Sequence, residues 1–269
     1  KNKDAASQSL RKALDIKPDL QEAQRATIML DVDSKNFQGA LSTAQAMQKQ
    51  SPKEPVGYVL EGDIHASQKN WDSAVLAYRG GLKQVASPEL AIKLHSALQA
   101  SGKAAEAERF AVSWQKESPK DVVFLLYLGD MAIALNDFSN AEKNYLAVIK
   151  VQPGNAVAYN NLAWVTGRLN KNGAIGLAEK ANAIAPNQPA FMDTLAVLLS
   201  GNGEYGRAVE LQNKALALQP QNSLFRLNLA KIHIKGGKKD LARKELDDLA
   251  KMGDKFSAHI EVSQLLKTL

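Results

Sequence analysis

Four histidines, His65, His95, His233 and His259, are where an acid–base or metal centre would have to begin. They are far apart, and no pair has the i, i+3 or i, i+4 spacing that puts two imidazoles on one helix face for a shared ion. A packed interior position is the reading for His65, His95 and His233. The glycine pairs in "RGGLK" and "KGGKK" could suggest phosphate cradles, but neither completes GxGxxG or GxxxxGK[ST]. Asp247 and Asp248 lie in a run of alternating charge, where a solvated helix face is the default. With no cysteine, disulfides, thiolate metal sites and cysteine nucleophiles are excluded from this chain. No catalytic residue, metal site or cofactor is expected. One stretch still asks for a reason: "YNNLAWVTGRLN", residues 159–170, sets Asn160, Asn161 and Trp164 into an otherwise apolar helical run. Asparagine is a poor residue inside a helix because its amide competes with the backbone.

The elements that would position these residues must be helices. Alanine, leucine, lysine and glutamine dominate, glycine and proline are modest, and aromatics make up only 6%. Hydrophobic content of 45% with 23% charged residues over 269 positions is ordinary for a globular protein. The formal charge of +6 is spread among acidic neighbours, as in "KKDLARKELDDLAK", so a nucleic-acid partner is not expected. No apolar run reaches the 18 or so residues of a membrane span. The opening "KNKDAASQSLRKALDIKP" reads as the second half of a helical unit, so the chain is expected to be part of something longer, with any targeting segment upstream.

Prolines mark out a ruler. Pro18, Pro52, Pro119, Pro153, Pro186 and Pro220 lie at intervals of 34, 67, 34, 33 and 34. The missing mark falls near Ala86, where "QVASPEL" carries its proline two residues late, and the last mark falls at Asp254. An alanine precedes every mark at one fixed offset, that of Ala6 from Pro18: Ala6, Ala40, Ala74, Ala107, Ala141, Ala174, Ala208 and Ala242. Counting position 1 as the third residue after a mark, position 8 is Ile28, Gly62, Ser96, Gly129, Ala163, Ala196 and Ala230. Small residues there allow two antiparallel helices to approach closely, and proline ends the second helix of each pair. A fixed period of this length is the signature of a solenoid.

The period and its small-residue positions resemble the tetratricopeptide repeat (TPR), a helix–turn–helix unit of about 34 residues. The resemblance implies an all-α TPR solenoid, a right-handed superhelix of about sixteen antiparallel helices. Residues 1–20 would be the second helix of a truncated repeat, residues 21–256 seven full repeats, and residues 257–269 a C-terminal capping helix, all in one continuous solenoid. That closing helix has apolar residues at Ile260, Val262, Leu265, Leu266 and Leu269, which suits a cap over the last repeat. In a TPR stack the first helix of each repeat lines a concave groove, and positions 2, 5, 6, 9 and 12 face it. The expected groove residues are Tyr127, Asp130, Asn160, Asn161, Trp164, Asp193, Thr194, Asn228 and Lys231. The ladder Asn161–Thr194–Asn228 at position 6 could grip an extended peptide backbone, since each amide offers two donors and an acceptor. The same asparagines could equally bond neighbouring helices or water. The carboxylate clamp of chaperone-tail binders is not reproduced in its repeat-by-repeat order by Lys93, Arg226 and Lys231.

Over residues 120–269 the runs "NAVAYNNLAWV", "GLAEKANAIAPNQPAFMDTLAVLL" and "ARKELDDLAK" resemble the TPR lipoproteins of bacterial exosortase/PEP-CTERM systems. The chain departs from them at Val197 and Leu198, where such proteins often continue with Gly-Trp. This resemblance implies a periplasmic scaffold, tethered by a lipid anchor upstream of this segment, in exopolysaccharide export or surface protein sorting. Its partner would be a protein or peptide segment in the groove. The alternative is a glycan-binding or polymer-guiding solenoid whose ligand is the exopolysaccharide itself.

Overall fold

One backbone conformation recurs along the chain, once in each period of the proline ruler. Lys35, Lys69, Gly102, Asn136, Asn170, Gly203 and Gly237 all have positive φ, between 52° and 84°. Each sits in the turn joining a pair of antiparallel helices. The amide of the following residue reaches back to the carbonyl five positions earlier, Asn36 to Asp31 at 2.7 Å and Lys238 to His233 at 2.8 Å. This is the Schellman closure, which satisfies a helix-end carbonyl and needs one left-handed residue.

The computed structural model describes residues 3–269, with the side chain of residue 4 left aside. Its helices are α1 (Lys3–Ile16), α2 (Gln21–Asp33), α3 (Phe37–Gln50), α4 (Val56–Ser67), α5 (Trp71–Gln84), α6 (Pro88–Ala100), α7 (Ala104–Glu117) and α8 (Val122–Ala134). They continue as α9 (Phe138–Val151), α10 (Ala156–Arg168), α11 (Ala174–Ile184), α12 (Pro189–Gly201), α13 (Tyr205–Leu218), α14 (Ser223–Lys235), α15 (Lys239–Ala250) and α16 (His259–Thr268). A single 3-10 turn, Gly253–Lys255, precedes α16. Among the described residues there is no strand, and no helix is long and apolar enough to cross a membrane. The helices group into two compact units, Lys1–Phe124 and Leu125–Leu269.

Local chemistry explains the helix starts. Asn36, Ser87, Asp137, Asn155 and Asn222 each accept a backbone N–H from the first turn of the helix they precede. Pro88 therefore has a different job from the other ruler prolines. It begins α6 behind its Ser87 cap, where a missing N–H costs nothing, and residues 85–87 form the whole connection. Pro189 likewise opens α12.

Packing follows the alanine ruler. Ala40, Ala74, Ala107, Ala141, Ala208 and Ala242 have no exposed surface, and Ala163, Ala196 and Ala230 at position 8 have none either. Ala6 is exposed, because no described helix precedes α1. In the first unit Tyr78, Leu90, Leu94 and Leu98 fill the largest core cluster. Leu195, Leu199 and Ile232 do so in the second. The closing helix caps its neighbours through Val262, which packs with Leu227, Leu246, Leu249 and Phe256. Ile260 does not share that face; it is 62% exposed. His95 is buried with its ring edge against Phe124 at 6.1 Å, and burial holds its pKa below the ordinary imidazole value.

Candidate interaction face and its carboxylate nodes

Three carboxylates on first helices are wired alike. In the first unit Asp63 of α4 accepts from Tyr78 Oη of α5 at 2.6 Å and from Lys93 Nζ of α6 at 2.8 and 2.9 Å. In the second unit Asp130 of α8 accepts from Tyr145 Oη of α9 at 2.6 Å and from Asn161 Nδ2 of α10 at 3.2 Å. Asp193 of α12 accepts from Gln212 Nε2 of α13 at 2.6 Å and from Asn228 Nδ2 of α14 at 2.9 and 3.0 Å. Each carboxylate thus ties its own helix to the next two. The donors Tyr78, Tyr145 and Gln212 are evenly spaced along the chain, so the device recurs in every second repeat.

Glycine makes the tyrosine version possible. Gly62 and Gly129 immediately precede Asp63 and Asp130, and each faces a tyrosine ring. A Cβ on Gly62 would stand 2.1 Å from a Tyr78 ring carbon, and one on Gly129 would stand 2.6 Å from Tyr145. Only a bare backbone lets the ring lie across the helix with its hydroxyl on the next carboxylate. Burial, reinforced by the adjacent carboxylate, pushes both tyrosine hydroxyls well above their ordinary pKa. Asp193 is also pushed upward. Burial outweighs the opposing hydrogen bonds from Asn228 and Gln212 and the charge of Lys231.

The expected groove residues therefore separate into groups. Asn161 and Asn228 spend their amide donors on the aspartates of the neighbouring first helix. The position-6 ladder does not run through Thr194, whose hydroxyl donates to Ala190 of its own helix at 3.1 Å. Asn160 is a correction: it is 9% exposed, donates to Asn161 Oδ1 at 3.1 Å, and its own Oδ1 has no partner among the described residues. Position 5 lies against the next helix instead of solvent, as buried Leu227 at the equivalent place also shows. Asp193 shares that position and is half-buried, and so is Tyr127 at position 6. Asp130 is exposed. Lys231 pairs with Glu261 of α16 at 2.7 Å.

Trp164 keeps part of its ring open to solvent. It is 36% exposed, its ring stands edge-on to Phe138 at 5.7 Å, and the Arg168 guanidinium lies 5.6 Å over the tryptophan and 5.4 Å over the phenylalanine. Trp164, Arg168, Thr194, Val197, Asn202 and Lys235 line a depression of about 670 Å³ across α10, α12 and α14. A second depression of about 400 Å³ adjoins it, sharing Val197 and Lys235 and adding Asn228, Lys231, Glu261 and Leu265. Sequence reasoning misses Arg168, Gly201 and Lys235, all at position 13, because the groove pattern taken from the repeat stops at position 12. Among the described residues no group of three or more acidic or histidine side chains is placed to hold a metal ion.

A family model described as tetratricopeptide repeat matches residues 199–266. No curated protein matches the chain. Among solved structures, Pseudomonas aeruginosa PilF is similar at 18% identity and a TM-score of 0.58, over 77% of this chain and 95% of that one. A tetratricopeptide repeat protein from Parabacteroides merdae has 18% identity and a TM-score of 0.55, over 91% of this chain and 97% of its own. A chain of the APC/C hetero-tetramer Cut9–Hcn1 has 14% identity and a TM-score of 0.60, over 96% of this chain and 51% of its own. The fold is that of the TPR solenoids, an architecture typical of protein–protein interaction scaffolds.

Proposed function

We propose that this protein is a non-enzymatic scaffold that binds a segment of another protein across the first helices of its second unit. The observation that carries this reading is the pair of adjoining depressions, with Trp164 and Val197 left 36% and 39% exposed in their walls. Apolar side chains kept in water and rimmed by polar ones mark partner sites. Aromatic anchors commonly dominate the binding energy of such a site. The carboxylate nodes hold the helices in register behind it, so that the face is formed before the partner arrives.

In the cell the scaffold serves bacterial exopolysaccharide export or exosortase-linked sorting of surface proteins, from the periplasm, tethered by an upstream lipid anchor. Support for this placement is the likeness of residues 120–269 to the TPR lipoproteins of those systems. Fractionating cells that express the full gene tests it: recovery in the cytosol alone would end the periplasmic assignment. A second reading, a solenoid that guides a glycan, draws on the Trp164–Arg168 platform, since an exposed ring can stack on a sugar.

The test of the main reading is site-specific crosslinking from position 194, in the same depression, in the native host, with and without Trp164→Ala or Val197→Asp. A discrete protein adduct lost in both variants supports the scaffold. Crosslinking only to polysaccharide would favour the second reading, and adducts indifferent to both substitutions would sink the first.

A further inference from the structure

The larger depression has a charge character that its position in the fold does not require. Its lining holds three cations, Arg168, Lys171 and Lys235, and no carboxylate. Lys171 is already paired with Glu142 at 2.6 Å. Arg168 is held instead by the faces of Phe138 and Trp164, which fix the guanidinium while leaving its hydrogen-bonding edge free of any ion pair among the described residues. Lys235 is exposed and has no ion pair among the described residues. In the adjoining depression, by contrast, Lys231 is neutralised by Glu261.

The backbone leaves room between the two open cations. Arg168, Gly201 and Lys235 occupy the same position on three successive first helices, α10, α12 and α14. Gly201 is exposed, and a Cβ built on it meets nothing within 4 Å. A helix-ending glycine at this place has no packing reason, since no neighbour needs the space. It opens a gap flanked by a cation on each side and floored by Val197 and Leu198.

We infer that this depression takes an acidic segment of a partner protein, with one carboxylate on Arg168, another on Lys235 and an apolar side chain between them against Trp164 and Val197. The inference rests on the scaffold reading and names the chemistry of its ligand. Helix axes pack about 8–10 Å apart, so α10 and α14 are separated by roughly 16–20 Å. An extended peptide advances about 3.3–3.6 Å per residue, which sets the two acids roughly four to six residues apart. Arginine suits the planar carboxylate through two parallel bonds, while lysine supplies a compact second charge.

A displayed random dodecapeptide library, selected on the purified chain, provides the probe. The expected result is enrichment of Asp or Glu at paired positions around an aromatic or aliphatic residue. Replacing those acids by their amides should weaken binding roughly tenfold or more, as loss of a charge-assisted bond does. Arg168→Gln and Lys235→Gln should weaken it comparably, Gly201→Leu should block it, and Lys180→Gln on the exposed face of α11 should leave it unchanged. Selected peptides without acids, lost with Trp164→Ala but insensitive to Arg168→Gln, would overturn the inference while leaving the scaffold standing. Failure to select any peptide that depends on Trp164 would count against the scaffold itself. An oligo-uronate that binds through Arg168 and Lys235 where no peptide does would overturn the peptide assignment.

Discussion

The first unit and the last node of the second solve one problem with different chemistry. Asp63 is held by a tyrosine and a lysine, and both charged side chains remain 39% exposed. Asp193 is held by two neutral amides, and burial raises its pKa. The tyrosine version needs glycine at position 8 so that the ring can cross the helix. The glutamine version keeps Ala196 there and moves the aspartate one turn back, from position 9 to position 5. What is kept between them is the wiring: one acceptor on a first helix, and donors from each of the next two helices. The residue types are interchangeable as long as the space in front of the donor matches its bulk.

The largest way to break the comparison is to fill that space. Gly62→Ala puts a methyl group 2.1 Å from the Tyr78 ring and should cost about 1–3 kcal/mol, the usual range for overpacking. Gly129→Ala, at 2.6 Å from Tyr145, should cost somewhat less. Gly201→Ala meets nothing and should be neutral or slightly stabilising. Urea melts of the three variants check the order, and Gly62→Ala combined with Tyr78→Leu should recover most of the loss. Equal stability of Gly62→Ala and Gly201→Ala would mean the tyrosine does not depend on the glycine.

Removing the acceptor comes next. Asp193→Ala strands the half-buried donor of Asn228 and one bond of buried Gln212, at a cost of about 1–3 kcal/mol. Asp63→Ala should cost about as much, because Lys93 can turn to water, an exposed pair being worth about 0–1 kcal/mol, but the hydroxyl of buried Tyr78 loses its acceptor. Asp193→Asn separates bonding from charge. Both donors reach Oδ1 of Asp193, so an amide oxygen placed there can accept from each. Its amide nitrogen, standing where Oδ2 was, faces Asn228 Nδ2 at 3.0 Å, so its stability at neutral pH should fall between those of the wild type and Asp193→Ala.

The same substitution carries a pH prediction. The folded pKa of Asp193 is raised above its ordinary 3.8, so the folded chain holds this proton more tightly than the unfolded chain. Its contribution is most favourable below pH 3.8 and is lost as pH rises through the raised value. Asp193→Asn removes that loss, so the gap between wild type and variant should move in the variant's favour over this window. A stability difference flat in pH across the window would show that burial does not perturb the carboxylate.

Much of this architecture is legible as spacing. Prolines and alanines at fixed intervals mark the helix pairs, and the turns between them recur at the expected period. The exceptions are residues whose role depends on a neighbour in space. Pro88 interrupts the ruler because it starts a helix behind Ser87, and a proline alone does not say which end it marks. Asn161 and Asn228 stand out because an amide inside a helix needs a reason. Their partners, Asp130 and Asp193, lie 31 and 35 residues away on other helices, and that pairing depends on helix register. The even recurrence of Tyr78, Tyr145 and Gln212, with Gly-Asp at 62–63 and 129–130, is the signal available in the sequence. Helical period alone sends Asn160 to the groove, and it cannot tell a side chain facing solvent from one facing the next helix.

The smallest effect separates the units at their turns. The second unit places Asn136, Asn170, Gly203 and Gly237 in the left-handed positions, whereas the first uses Lys35 and Lys69 beside Gly102. A left-handed backbone costs an ordinary residue roughly 1–2 kcal/mol. Asparagine is better tolerated there, and glycine escapes the clash at an entropic cost of about 0.5–1 kcal/mol. Lys69→Gly should therefore stabilise the turn by a net ~0.5–1 kcal/mol. Asn170→Gly should gain less. Hydrogen exchange at the amide of Asn70, which closes its turn onto His65 at 2.9 Å, reads the local effect directly. Slower exchange there in Lys69→Gly, with no change at Glu204 in the second unit, is the expected outcome. If exchange at Asn70 is unchanged or faster, the left-handed lysine carries no strain, and the two units close their turns equally well.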